Sequence, residues 1–137
     1  MQNITLATLK DATEQQVFDQ VVAHLRKQGE KSTVAGSNQC KYRTTRTAED
    51  GQAVPLMCAA GCLISDEEYN PRMDSSDMGS SWESLVAYGV ITDHHKNLIQ
   101  RLQNTHDGSN PEFWEADFAH IADVFGLTIP LVEQGEV

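Results

Sequence analysis

The chain has 137 residues, 39% of them apolar and 22% charged, with a formal net charge of -10. That length suits one domain with its own core, and the balance of apolar to charged residues is that of a folded chain. No apolar run reaches the roughly 20 residues that span a bilayer, and Met1-Gln2-Asn3 opens without the pattern of a signal peptide, so one globular domain over 1–137 and a cytoplasmic location are expected.

In chain order, Ile4 to Leu9 alternates apolar with small polar residues and reads as a short strand or an extended arm. Asp11 with Glu14, or Thr13 with Gln16, offers a capping box. Val17, Phe18, Val21, Val22 and Leu25 then repeat at helical spacing up to Gly29, which predicts a helix over 14–28. Residues 29–54 lack a helical period; 39–44 suits a strand, and Glu49-Asp50-Gly51 reads as a turn. The apolar run 55–64 is ambiguous. It fits a strand over 55–60 paired with 39–44, or a short helix opened by Pro55, which Ala59 and Ala60 favour.

Ser65 and Glu68 match a capping box ahead of Pro71, and residues 72–80 read as a polar loop. Ser80 with Glu83 suggests a short helix carrying Trp82, Leu85 and Val86 and ending at Gly89, with Val90 and Ile91 in the core. Thr92 is the expected cap of a helix whose inner face is His95, Leu98, Ile99, Leu102 and His106. Asn110-Pro111 starts the last helix, with Phe113, Trp114, Phe118, Ile121, Ala122 and Phe125 inward. Leu127, Ile129, Leu131 and Val132 should lie back on the core. The fold class is therefore mainly α, about four helices, with a small two-stranded β element as an option.

Charge is unevenly placed. Residues 1–46 carry seven Lys or Arg against four acids; residues 47–137 carry three against sixteen. Such a field repels a phosphate backbone. The one basic footprint is Lys41, Arg43 and Arg46, with Arg26, Lys27 and Lys31 behind it, so direct nucleic-acid binding is not expected.

Three cysteines, Cys40, Cys58 and Cys62, exclude a closed disulfide framework. With His106 they make a candidate zinc set, although a spacing of three between Cys58 and Cys62 is unusual for structural zinc. Cys58 or Cys62 with His106 is also a candidate nucleophile–base pair for a hydrolase or transferase. The apolar neighbours of both thiols favour packed, inert cysteines, so no metal or cofactor is expected. Adjacent helical residues point apart, so Asp107 reads as a helix-end residue and not as a partner of His106. Asp66, Glu67, Glu68, Asp74 and Asp77 form an acidic cluster without calcium-loop spacing, which suits a basic partner surface.

The segments 12–19, Cys40-Lys-Tyr-Arg43, 58–69, 98–107 and the Trp114 helix together resemble a group of small bacterial and phage proteins with no assigned activity. The resemblance implies an accessory protein acting on a host component and carries no catalytic residue. The leading expectation is a non-enzymatic binding protein with a basic protein partner. A cysteine enzyme, a zinc-stabilised interaction module and a homodimer through the Trp82 or Trp114 region are the alternatives.

Overall fold

Thr13 opens the first helix. Its hydroxyl accepts the Gln16 N–H at 3.1 Å while Gln16 Oε1 accepts the Thr13 N–H at 2.9 Å, so the second of the two candidate capping boxes forms. The helix, α1, spans Glu14–Gln28 and ends on Gly29 at φ +68°, a left-handed position that glycine adopts without penalty. Val17, Phe18, Val21, Val22 and Leu25 are fully buried along one face. The computed structural model that shows this describes residues 4–33, 41–74 and 82–130.

A β-hairpin follows. β1 (Arg43–Thr47) pairs antiparallel with β2 (Ala53–Met57), and Thr45 faces Pro55. The turn lies where Glu49-Asp50-Gly51 predicts it: Gly51 donates to the Ala48 carbonyl at 2.9 Å with φ +86°. A helix from Pro55 does not form. In a two-stranded sheet every strand has a free edge, so a proline without an N–H is tolerated there. The strand stops at Met57, and Ala60–Leu63 makes a 3-10 turn; the apolar run is thus half strand and half turn. The pairing is also shifted, with β1 starting at Arg43; residues 39–40 lie outside the described residues.

The other helices are α2 (Trp82–Ala87), α3 (Lys96–Gly108) and α4 (Trp114–Phe125). α4 is preceded by a 3-10 turn at Pro111–Phe113, as the Asn110-Pro111 signal implies. α3 does not start at Thr92. His95 stands before it with φ +59°, and its Nε2 donates to the Ala12 carbonyl at 2.8 Å, which ties the helix start to the N-terminal segment. Ile4 to Leu9 is neither strand nor arm. It makes a turn and then a 3-10 helix at Leu9–Asp11, because Thr8 bonds back to Thr5 and Leu9 is drawn into the core. Ser65 and Glu68 bond reciprocally as a capping box does, but around a turn. Pro71 opens a 3-10 turn that buries Met73 and Asp74.

The described residues form a mainly helical domain, with four α-helices and a small antiparallel hairpin among them around one apolar cluster. Phe18, Leu25, Leu63, Trp82, Leu98, Leu102 and Phe118 are among its largest buried side chains. No helix of the described residues is long and apolar enough to cross a membrane. Phe113 is 56% exposed and Ile129 40%, so neither joins the core as their sequence positions suggested, whereas Leu127 packs against it. Residues 80, 131 and 132 lie outside the described residues.

Glutamines of α1 fasten the non-helical segments. Gln20 accepts the Ile4 N–H at 2.7 Å and donates to the Ile4 carbonyl at 2.9 Å. Gln28 does the same to Met57, at 2.9 and 2.8 Å, and Gln15 to Thr128, at 2.9 and 2.8 Å. Each side-chain amide satisfies one residue's backbone donor and acceptor, as a neighbouring strand would.

Gly61 sits where the 3-10 turn passes under the hairpin. A Cβ there would overlap the Tyr42 carbonyl oxygen and lie 3.2 Å from its carbonyl carbon. Gly61→Ala is therefore expected to lower unfolding free energy by about 1–3 kcal/mol. Gly108→Ala, in open space at the end of α3, should be neutral or mildly stabilising. Urea unfolding of the two variants checks this, and equal stabilities would refute the close approach.

Candidate functional site

The two described thiols are inside. Cys58 is fully buried between β2 and the 3-10 turn, and its sulfur accepts the Gly61 N–H at 3.3 Å. Burial pushes its pKa well above the ordinary thiol value; the Gly61 N–H opposes this only in part. Cys62 is partly exposed as a residue, yet its thiol turns inward and donates to the Ala59 carbonyl at 3.2 Å. Burial raises that thiol to about 12, against a smaller opposing effect of the Gln20 amide. Neither sulfur is a thiolate at neutral pH, and the thiolate is the nucleophile and the metal ligand.

His106 has a different set of partners from the one its sequence position suggested. The ring is fully buried near the end of α3 and stacks on Trp114, with centroids 5.8 Å apart. Nε2 accepts the Ser32 backbone N–H at 2.9 Å. Nδ1 therefore carries the proton, and it donates to Asp107 Oδ1 at 2.7 Å. Asp107 is thus a partner of its neighbour after all, since at the last turn its side chain can fold back. Gln103 Nε2 reaches the same Asp107 oxygen at 2.8 Å, and Gln103 Oε1 accepts the Ala60 N–H at 2.9 Å.

Serine, histidine and aspartate therefore meet, a grouping the sequence concealed because Ser32 lies 74 positions from His106. The geometry is that of a fastening. A general base needs its free lone pair aimed at the hydroxyl it deprotonates. Here that lone pair is filled by the amide of Ser32 itself, and the imidazole is closed to solvent.

The acidic cluster separates into distinct roles. Asp74 is buried, and its carboxylate accepts the Tyr42 N–H at 2.7 Å, the Arg43 N–H at 3.4 Å and the Tyr69 hydroxyl at 2.6 Å. Desolvation, with this contact to Asp74 second, pushes the Tyr69 phenol above its ordinary value. Asp74 is thus a structural anchor and unavailable to a partner. Glu68 accepts Ser65, Leu6 and Ala7 N–H groups at 2.9–3.0 Å, which pins the N-terminal segment. Burial disfavours its charge, but the combined hydrogen bonds win and hold its pKa low. Asp66 is exposed and paired with Arg43, whose guanidinium also lies over the Tyr69 ring. Glu67 is exposed. Asp77 and Cys40 lie outside the described residues.

Among the described residues, no three His, Cys, Asp or Glu side chains gather closely enough to hold a metal ion. A shallow open groove of about 210 Å³ runs between α3 and α4, lined by Arg101, Asn104, Thr105, Asp117, His120 and Ile121. No sequence signal marked it, because its walls come from two helices. α4 and the 3-10 turn before it carry the other notable surface: Glu112, Glu115 and Asp123 are exposed there, and so are Phe113 and Val124. No family model matches the chain, and searches of curated proteins and of solved structures return no significant match.

Two outcomes are expected. In native protein, Ellman's reagent should leave Cys58 and Cys62 unmodified and label them on denaturation; rapid native labelling of either would reopen thiol chemistry. His106→Phe keeps the stack on Trp114 but leaves the buried Ser32 N–H without its acceptor, which should cost about 1–3 kcal/mol in denaturant unfolding. An unchanged stability would show that the imidazole is kept for something other than this bonding.

Proposed function

We propose that this protein works by binding, its acidic surface engaging a basic protein partner. The observation that carries the reading is the division of charged and reactive groups between inside and outside. Cys58, Cys62, His106 and Asp74 are all engaged in the interior, while Glu67, Glu112 and Asp123 face solvent. Positive charge is further reduced at the surface because Arg26 pairs with Glu115, Arg43 with Asp66 and Arg46 with Glu30. The formal charge of -10 then acts outward as a field that speeds encounter with a cationic surface. Of the cluster expected from sequence, Glu67 remains suited to that contact, Asp66 being paired with Arg43, and the exposed Glu112 and Asp123 extend it. An accessory protein acting on a host component is the setting that the bacterial and phage resemblance supports.

Affinity capture from a bacterial lysate, followed by kinetics on the captured protein, tests this reading. The partner should be basic, and its association rate should fall steeply as salt rises. Reversal of Glu67, Glu112 and Asp123 to lysine should slow association by about tenfold or more. A partner whose association is insensitive to both would overturn the acidic-surface reading.

A further inference from the structure

The core uses one side of α4, and apolar side chains are also exposed on α4 and on the 3-10 turn before it. Trp114, Phe118, Ile121 and Ala122 are buried. On the solvent side, Phe113 is 56% exposed and Val124 53%. Phe113 closes the 3-10 turn that leads into α4 and Val124 lies in its last turn, roughly 16 Å away along the axis. Ala116 and Ala119 are exposed on the helix between them, and so is His120. Glu112 and Asp123 flank it at its two ends, also exposed, with no ion-pair partner among the described residues. Exposed apolar side chains toward the two ends, alanines and His120 between and carboxylates alongside suit a helix with an apolar stripe and cationic edges.

We propose that the outer face of α4 is the docking surface for a cationic amphipathic helix of a partner protein, its apolar residues seated along Phe113, Ala116 and Val124 and its Lys or Arg residues on Glu112 and Asp123. The inference rests on the acidic-surface reading above and specifies the partner's secondary structure and the face it uses. Charge decides the occupant. A second copy of this chain packed antiparallel would set Glu112 of one copy by Asp123 of the other, and a parallel arrangement would set like on like; both repel. Phosphates of a nucleic acid or of an anionic bilayer meet the same carboxylates and are repelled in the same way.

The test is fluorescence anisotropy with two labelled probes: a synthetic leucine–lysine helix with all leucines on one face, and polylysine of similar charge. The substituted positions are exposed, and circular dichroism confirms the fold of each variant. The amphipathic helix should bind more tightly than polylysine. It should weaken by about tenfold or more with Phe113→Ser plus Val124→Ser, and likewise with Glu112→Lys plus Asp123→Lys. Glu49→Lys plus Asp50→Lys in the hairpin turn should leave it unchanged. If the two probes bind alike and the serine variant makes no difference, the α4 inference falls while the acidic-surface reading stands. Equal loss from the hairpin reversal has the same meaning. Failure of both probes to bind overturns both. A concentration-dependent dimer in sedimentation that the serine variant abolishes would assign the face to a second copy and overturn the proposal.

Discussion

α1 holds this fold together through side-chain amides as much as through its apolar face. Gln15, Gln20 and Gln28 each clasp both backbone groups of one residue, at Thr128, Ile4 and Met57. These three residues belong to the segment after α4, the N-terminal turn and the end of β2, and none is in a helix that could satisfy its own backbone. Left without partners, the part-buried groups of Ile4 and Met57 would each cost about 1–3 kcal/mol, while those of Thr128 are exposed. The helix serves as a rail, with the irregular parts of the chain bonded along it and the core beneath.

A second polar junction lies at the other side of the core, where α3 ends. Gln103, His106 and Asp107 form one bonded set that reaches Ala60 in the 3-10 turn and Ser32 after α1. It joins three segments distant in sequence through bonded groups that each engage the next, while the buried Ser32 hydroxyl itself has no hydrogen-bond partner. The same junction accounts for the group that most resembles catalytic machinery. The imidazole is spent on holding a loop, and the buried thiols are kept protonated by desolvation.

The hairpin shows the same economy. Asp74 holds the start of β1 through the Tyr42 and Arg43 amides, and Arg43 reaches the Ile64 carbonyl, so the strand is anchored at the end nearest the core. The far end, with Glu49 and Asp50, is exposed. Tyr42 packs edge-on against Trp82 and links the hairpin to α2.

The sequence by itself determined what depends on neighbours along the chain. The Thr13 box, the Val17-to-Leu25 spacing, the Gly29 stop, the hairpin turn and the Asn110-Pro111 start are local, and their hydrogen bonds close within a few residues. The apolar surroundings of Cys58 and Cys62 also told in advance that the thiols were packed. Tertiary structure decided the rest. Pro55 became a strand residue because Thr45 lay opposite, and His95 left its helix to bond Ala12. Asp74 passed from an acidic loop to an internal anchor because Tyr42 and Tyr69 converge on it. His106 found Ser32, and α4 turned Phe113 outward, because side chains choose partners by distance in space, and a spacing of 31 or 74 residues leaves no periodic trace to read.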